Sequence, residues 1–243
     1  MTEKLNIILD LDNCCIHALS ISTYNNDKKM VEYMTKELKK DGNNVDILKY
    51  KFDLEKDDRY NILFIRPHLK MFLEYLLKNY NVSVWSNGYY TYVDKICNII
   101  FTKEQKKQLK YIIGATDNPK WGVYDINNKK FLYDFNSYKN IVKDTSSFSF
   151  TDRYDVKDLS FLWKNKPYSS IFTKENTILI DDAENHLVFN KYNVLPVKYW
   201  VSYDKSDRTL LNVLNYLKKK SIIDTTKLKH FTKTKKVKKT KKK

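Results

Sequence analysis

Four short apolar runs, separated by amphipathic stretches, set the strongest constraint on how this chain can fold. Each run suits a strand buried on both faces of a sheet, because it is mostly apolar and only a few residues long. The stretches between them place apolar residues at helical spacings of three and four. The runs lie at 7–9, 82–85, 176–182 and 194–200. Buried strands that alternate with helices predict an α/β protein with a mainly parallel central sheet and right-handed crossovers.

The helical stretches also carry start signals. Pro67 suits the first position of a helix whose apolar residues recur at spacings of three and four as far as Tyr80. Ser206 is suited to cap a helix near the end of the sequence. We therefore expect one helix to start at Pro67 and another to start just after Ser206.

Two segments interrupt the alternation, and we interpret them as insertions. The first, at about 18–61, contains the helical pattern KKMVEYMTKELKK, and the second, at about 115–155, contains a predicted hairpin around INNKK. One folded domain is expected over 1–222, followed by a Lys-rich tail at 223–243. The composition of the tail cannot bury a core, so we expect it to be disordered.

The positive charge of the chain is concentrated in its last residues. The formal net charge is +16, and 218–243 holds thirteen lysines against one acid, Asp224. The folded body is therefore only mildly basic. Three interpretations of the tail stay open: a nuclear import signal, an anchor for nucleic acid or an acidic partner, and a solvated end without a partner.

The cysteine content and the hydropathy indicate an intracellular protein, cytoplasmic or nuclear. Three cysteines cannot form an even disulfide framework, and Cys14 and Cys15 are neighbours that could bridge only with strain. No apolar run approaches the roughly 18 residues of a membrane span, and no signal pattern opens the sequence. We expect Cys14 and Cys15 to pack rather than to act as redox groups.

Polar side chains stand where three of the predicted strands end. The first run is followed by Asp10 and Asp12, the second by Ser86, and the third by Asp181 and Asp182. Ligands of parallel α/β sheets bind at the carboxyl ends of the strands, so these groups are expected to converge. Four carboxylates in one crevice would repel each other unless a cation sat among them, and hard oxygen ligands suit Mg²⁺.

Such a site can support phosphoryl transfer. One carboxylate beside the metal can attack phosphorus, and a second, two residues further on, can protonate the leaving oxygen and later take a proton from water. Lys157, between the second and third strands, is the candidate for stabilising the charge on the transferred group, and Ser86 for holding a phosphate oxygen. The DxD pattern alone is weak, because acids often end strands and cap helices. The four groups in this order, Asp10 with Asp12, Ser86, Lys157, and Asp181 with Asp182, point to phosphoryl transfer far more specifically.

These motifs resemble the haloacid dehalogenase (HAD) superfamily of phosphohydrolases. Within it they resemble the phosphatases of the RNA polymerase II carboxy-terminal domain (CTD), the NLI-interacting-factor-like group that includes the small CTD phosphatases. The matching stretches are LDLDNCCIH, RPHLKMFLEYLLKNYNVSVWSNG, VKDLS and ILIDDAENHLVFNKYNVLPVKYW, and they cover most of 5–217. The resemblance implies a Rossmann-like HAD fold.

The resemblance also implies roles for individual residues. Asp10 would be the nucleophile that forms an aspartyl-phosphate, and Asp12 the general acid and then base. Ser86 and Lys157 would bind the transferring phosphate.

A Mg²⁺ ion would be held by the Asp10 carboxylate, the main-chain carbonyl of Asp12 and the pair Asp181 and Asp182. The implied substrate is phosphoserine or phosphothreonine in a protein, such as a CTD-like segment. The alternatives are a phosphatase for nucleic-acid ends or small phosphoesters, and a catalytically silent binding module.

Some features leave alternatives open. Cys14 stands where the family has Thr or Val, and we expect activity to survive this change. A helix in the 18–61 insertion departs from the small strand-rich insertion of the family. If the insertion covers the site as a lid, a small phosphoester is the favoured substrate. If the site is open, a protein segment is favoured. Arg66 could pair with a carboxylate or reach a phosphate. The stretch NGYYTYV after Ser86 could line the site or simply pack.

Overall fold

The computed structural model describes most of the folded body. The described residues are 4–21, 28–51, 58–115, 121–133, 157–183, 190, 192–202 and 204–219. The predicted tail lies outside them, as does most of the second predicted insertion beyond its hairpin. No helix in these ranges is both long and apolar enough to cross a membrane.

The described elements alternate between strands and helices along most of the chain. The strands are β1 (Asn6–Leu9), β2 (Ile16–Ser20), β3 (Val45–Lys51), β4 (Asp58–Ile65), β5 (Asn81–Tyr89), β6 (Tyr111–Ala115), β7 (Trp121–Asp125), β8 (Lys130–Tyr133), β9 (Thr177–Asp181) and β10 (Val194–Pro196). The helices are α1 (Lys28–Lys40), α2 (Leu69–Asn79), α3 (Tyr90–Ile100), α4 (Lys103–Lys106), α5 (Ser160–Lys164) and α6 (Thr209–Lys219).

The central sheet has the strand order β10-β9-β1-β5-β6-β7-β8 within the described residues. Neighbouring strands from β10 to β6 pair in parallel, and β7 and β8 add an antiparallel edge. The predicted α/β class with a mainly parallel sheet is confirmed. Ile7 and Leu9 pack with α2, α3 and α6 on one face, whereas Ile8 packs with α5 on the other. This alternation is why the first run is apolar throughout.

Strand β6 was not predicted, although all but its last residue are buried. Its glycine allows the start of α3 to lie very close to the sheet. A Cβ added at Gly114 would lie 2.7 Å from Cα of Tyr90, closer than side chains tolerate. A larger residue at this position would therefore push α3 away from β6.

The first insertion is a small layer of its own. Strands β2, β4 and β3 form a three-stranded antiparallel sheet in the described residues, and α1 packs on it over the residues predicted to be helical. Its core contains Val31, Val45 and Phe64, and Trp200 from the main domain packs into it. The insertion thus has both the predicted helix and a strand-rich sheet. The predicted hairpin around INNKK is also confirmed, and its strands β7 and β8 extend the central sheet.

Helix α2 begins two residues later than predicted. Pro67 lies in a turn rather than in the first helical turn, and His68 precedes the helix with a left-handed φ of 67°. The amide of Leu69 donates to the carbonyl of Arg66 across this turn. The prediction of a start at Pro67 was therefore wrong, because the chain must first turn around the anchored Arg66.

Arg66 pairs with a carboxylate, which settles its role. Its Nε lies 2.8 Å from Oδ2 of Asp207, and both side chains are buried. Its other nitrogens donate to the carbonyls of Cys14 and Lys198, each at 2.8 Å. Asp207 also accepts hydrogen bonds from the amide and hydroxyl of Thr209, so it caps α6 in place of the predicted Ser206. Arg66 therefore joins segments that are distant in sequence.

Candidate active site

The carboxyl ends of β1, β5 and β9 meet at one edge of the central sheet. Leu9 is in register with Val84 of β5 and with Ile180 of β9. The amide of Asp10 donates to the carbonyl of Ile180 at 3.0 Å, which continues this pairing one residue past the end of β1. The polar residues that end these strands are therefore brought to the same place.

Lys157 lies at the centre of the site. Its Nζ donates a short hydrogen bond to Oδ1 of Asp10 and a second, of 2.7 Å, to Oδ2 of Asp181. All three side chains are buried. Burial by itself lowers the pKa of Lys157, but the two carboxylates outweigh it and raise the pKa above its usual range. The lysine is therefore a permanent cation between two strand ends.

Asn190 holds the backbone around Lys157. Its side-chain amide donates to the carbonyl of Lys157 at 2.6 Å and accepts from the amide of Leu159 at 2.9 Å. Asn190 was not singled out from the sequence, although it lies within the quoted fourth motif. No local pattern distinguishes it from Asn193 nearby, because its partners lie more than thirty residues earlier.

Three carboxylates cluster around this lysine. Single oxygens of Asp10, Asp181 and Asp182 all lie within 4.8 Å of one another. Burial raises the pKa of Asp10 well above its usual value, against the opposing effect of Lys157. Burial and the neighbouring Asp181 raise the pKa of Asp182 to about 6. One lysine does not balance three carboxylates, and this oxygen-rich set suits a small divalent cation.

The Asp12 carboxylate is held apart from this cluster by two hydroxyl groups. Tyr92 donates to its Oδ1 at 2.7 Å, and Ser86 donates to its Oδ2 at 3.2 Å. Ser86 in turn accepts the amide hydrogen of Gly88 at 3.0 Å. Burial raises the pKa of Asp12, and the hydroxyl bonds only partly oppose this. A carboxyl group with a raised pKa is better suited to donate a proton than an ordinary carboxyl group.

The chain turns sharply just after Asp12. Asn13 has a left-handed φ of 57°, and the amide of Cys15 donates to the carbonyl of Leu11 at 2.7 Å. Cys14 and Cys15 are buried as free thiols in the core, so the prediction that they pack is confirmed. The Cys14 thiol lies 3.9 Å from the carbonyl of Ile180, and it supports the loop that carries Asp12.

The insertion contacts the site through Tyr50 of β3. The Tyr50 ring meets the Tyr92 ring edge to face, with 5.5 Å between centroids. The side chain of Lys95 on α3 also donates to the carbonyl of Lys49 at 2.9 Å. The described strands of the insertion therefore lie beside α3. Tyr92 belongs to the tyrosine-rich stretch after Ser86, and its bond to Asp12 could not be read from that pattern.

Every predicted site residue is in this one region. The structure brings together Asp10, Asp12, Ser86, Lys157, Asp181 and Asp182. Two carboxylates two residues apart, a buried lysine and an acidic pair meet at the ends of parallel strands, and this set of side chains suits a phosphoester hydrolase.

Comparison with known proteins gives the family. The model of the NLI interacting factor-like phosphatases matches residues 5–124 and 123–227. The chain belongs to this family of phosphatases.

Two relatives and one solved structure are similar to the chain. The chain is 28% identical over 219 residues to CTD phosphatase-like protein 355R of invertebrate iridescent virus 3, covering 87% of this chain and 94% of the relative. It is 25% identical over 177 residues to human ubiquitin-like domain-containing CTD phosphatase 1. This match covers 71% of this chain and 47% of the human protein. A solved structure of Fcp1, an essential RNA polymerase II CTD phosphatase, is 17% identical with a TM-score of 0.48. This match covers 93% of this chain and 57% of the Fcp1 chain.

Proposed function

We propose that this phosphatase is Mg²⁺-dependent, works through a phosphorylated Asp10, and acts on phosphoserine or phosphothreonine in a protein. The contact of Lys157 with both Asp10 and Asp181 carries the proposal. It joins a nucleophile at the end of β1 to the acidic pair at the end of β9 through a buried cation. Structural ion pairs are not usually placed at the ligand-binding edge of a sheet among further carboxylates.

In the first step, a carboxylate oxygen of Asp10 forms a bond to phosphorus, and the bond from phosphorus to the serine or threonine oxygen breaks. Asp12 gives its proton to that leaving oxygen, so the product is a free hydroxyl group. Ser86 and Lys157 hold oxygens of the transferring group, and the lysine offsets their negative charge.

In the second step, water attacks the phosphorus of the phosphorylated Asp10. Asp12, now ionised, takes a proton from this water, which restores the acid for the next cycle. The bond to Asp10 breaks, and inorganic phosphate leaves. Tyr92 and Ser86 hold the Asp12 carboxylate through both steps.

The residues that would hold Mg²⁺ are the carboxylates of Asp10, Asp181 and Asp182, with the main-chain carbonyl of Asp12. Their fit rests on three oxygens within 4.8 Å of one another beside a single ammonium group. When bound, the ion would supply positive charge that offsets the phosphate and carboxylate charges.

The substrate class is inferred from the relatives and from the position of the insertion. The viral relative is a CTD phosphatase-like protein and the human relative is a CTD phosphatase, which points to a phosphorylated protein segment of the CTD kind. The described strands of the insertion lie beside α3, where Tyr50 contacts Tyr92, and this favours a site open to a polypeptide. We assign the phosphatase domain to 1–222 and treat the Lys-rich stretch at 223–243 as an appended tail.

Hydrolysis of an aryl phosphate tests the mechanism. The wild type is expected to be active with Mg²⁺ and inactive after chelation, and Asp10→Asn is expected to be inactive in both conditions. Asp46→Asn, which alters an exposed carboxylate of the insertion, serves as the matched control and should keep its activity. Activity that persists in Asp10→Asn would refute the aspartyl-phosphate mechanism.

A side-by-side assay tests the substrate class. A phosphoserine peptide and a 3′-phosphorylated oligonucleotide are compared at equal concentration under the same salt conditions. We expect a higher kcat/KM for the peptide. A higher kcat/KM for the oligonucleotide would assign the enzyme to nucleic-acid ends instead.

A further inference from the structure

A groove of about 710 Å³ runs along α3 on the side away from the insertion. Helix α4 and the turn between β7 and β8 complete its walls. The residues that give it its chemical character are Tyr90, Tyr124, Lys103, Lys106, Lys107 and Lys129. None of these residues has a role in the proposed reaction, so the groove is a separate feature of the surface.

The groove is strongly basic. Its lining contains four lysines against one carboxylate, Asp94. Lys106 lies 2.7 Å from Asp94, and Asp94 also accepts a hydrogen bond from the Tyr90 hydroxyl at 3.3 Å. This carboxylate is therefore neutralised within the wall. Lys103, Lys107 and Lys129 are exposed, and they give the groove a net positive charge.

The groove also has an aromatic floor. The rings of Tyr90 and Tyr124 lie 6.0 Å apart at a tilt of 46°, and both are half-buried. The rings pack on each other, and they do not offer two parallel faces on which successive bases could stack. An apolar floor with lysines around it suits a polypeptide that carries both acidic and apolar side chains.

One end of α3, the helix that lines the groove, lies at the proposed active site, where Tyr92 contacts Asp12. Tyr90 follows β5 directly, four residues after Ser86, and Lys103 lies beyond the far end of α3. An 11-residue helix such as α3 is about 16 Å long. An extended peptide covers this length with about five residues. A substrate segment that passes the start of α3 can therefore reach the lysines with residues about five positions further along.

We infer that this groove binds an acidic or additionally phosphorylated part of the substrate polypeptide, about four to six residues from the phosphoserine that is hydrolysed. The inference rests on the proposed function, because it assigns the groove to the same substrate. Binding in the groove gives the enzyme a preference among phosphoproteins. The proposed reaction centre cannot provide this preference, because Asp10, Asp12 and Lys157 contact only the phosphoryl group and its leaving oxygen.

Matched peptides test the inference. One phosphoserine peptide has neutral flanks, and two others carry three glutamates four to six positions before or after the phosphoserine. For the wild type, one acidic peptide is expected to have a KM about fivefold to tenfold lower than the neutral peptide, as three exposed ion pairs would give. The combined variant Lys103→Glu, Lys107→Glu and Lys129→Glu should lose this preference and keep its kcat/KM for an aryl phosphate.

A second variant controls for net charge. Lys4→Glu, Lys36→Glu and Lys219→Glu change the same number of exposed lysines away from the groove, and this variant should keep the preference. Equal KM values for all peptides in the wild type would overturn the inference. Retention of the preference by the groove variant would do the same.

Direct binding separates failure of the inference from failure of the proposed function. The fluorescence anisotropy of a labelled acidic peptide is measured with the wild type and the groove variant, with no catalysis required. Weaker binding to the groove variant supports the inference even if the wild type hydrolyses no phosphate ester. If the groove variant instead loses binding to a single-stranded oligonucleotide and keeps binding to the peptide, the groove is a nucleic-acid site and the inference is wrong.

Discussion

The hydroxyl group of Tyr92 donates a 2.7 Å hydrogen bond to Oδ1 of Asp12, across 80 residues of sequence. With Ser86 on the other oxygen, both oxygens of the proposed general acid are held by hydroxyl groups. Tyr50 packs against Tyr92 in turn, so the insertion buttresses the group that orients Asp12. The described part of the insertion is thereby linked to the candidate active site through the contact between Tyr50 and Tyr92.

Substitution of Tyr92 by Phe should lower kcat and leave KM nearly unchanged. The ring and its contact with Tyr50 stay, and only the hydrogen bond to Asp12 is lost. A hydrogen bond to a charged group contributes about 1.5–3 kcal/mol, so kcat should fall by at least about tenfold. Steady-state kinetics with an aryl phosphate measure this, with the exposed Tyr33→Phe as the control. An unchanged kcat would show that Tyr92 does not orient the acid.

Substitution of Lys157 by Met should abolish activity and destabilise the fold. The change leaves Asp10 and Asp181 buried without their cation. Removal of one partner from a buried pair costs about 3–5 kcal/mol. Urea unfolding measures the loss, and Mg²⁺ should restore part of it by binding the carboxylates that have lost their cation. Lys164→Met, at an exposed position on α5, should unfold like the wild type.

The affinity for Mg²⁺ should fall as the pH is lowered below about 6. The pKa of Asp182 is raised to about 6 by burial and by Asp181. Protons therefore compete with the cation for this carboxylate below that pH, and the affinity can fall by up to tenfold per pH unit. Calorimetric titration with Mg²⁺ at pH 7 and pH 5 measures the change. Asp182→Asn should bind more weakly at pH 7 and show less pH dependence; equal affinity of the wild type at both pH values would contradict the assignment.

The pair of Arg66 and Asp207 should stabilise the fold at neutral pH and lose its effect in acid. Burial alone would raise the pKa of Asp207, but hydrogen bonds from Arg66 and Thr209 lower it below its usual value. Because the pKa of Asp207 is lower in the folded state than in the unfolded state, the ion pair contributes its full stability above about pH 4, the pKa of an unfolded Asp. This stability is lost as the pH falls through the pKa of the folded state.

The variant Asp207→Asn tests this pair. It should lose about 3–5 kcal/mol of unfolding free energy at pH 7, because Arg66 stays buried without its partner. The difference from the wild type should shrink as the pH falls below 4. Urea unfolding at a series of pH values measures it, with Asp46→Asn as an exposed control. A difference that stays constant with pH would mean that the ion pair is not its source.

Four strands of the central sheet, and the convergence of the candidate site residues at their ends, could be predicted because they depend on local patterns. Strands β1, β5, β9 and β10 are runs buried on both faces, and the carboxylates follow directly at their ends. Strand β6 escaped prediction because its apolar run is short and ends at Gly114, whose role depends on the approach of α3.

The supporting contacts could not be predicted because their partners are distant in sequence. Asn190 contacts Lys157, 33 positions earlier, and Asp207 contacts Arg66 at a separation of 141 residues. Ser206 and Asp207 both have short polar side chains, so the sequence makes them equally good candidates to cap a helix. The choice between them depends on which one Arg66 can reach in the folded chain.

The separation between Arg66 and Asp207 has a consequence for synthesis on the ribosome. The guanidinium group secures the backbone just after Asp12 and reaches its carboxylate partner only in the approach to α6. A nascent chain that ends before Asp207 would have to bury this charge without compensation, which is unfavourable. The contacts that fix the turn after Asp12 are therefore complete only once residue 207 has been translated.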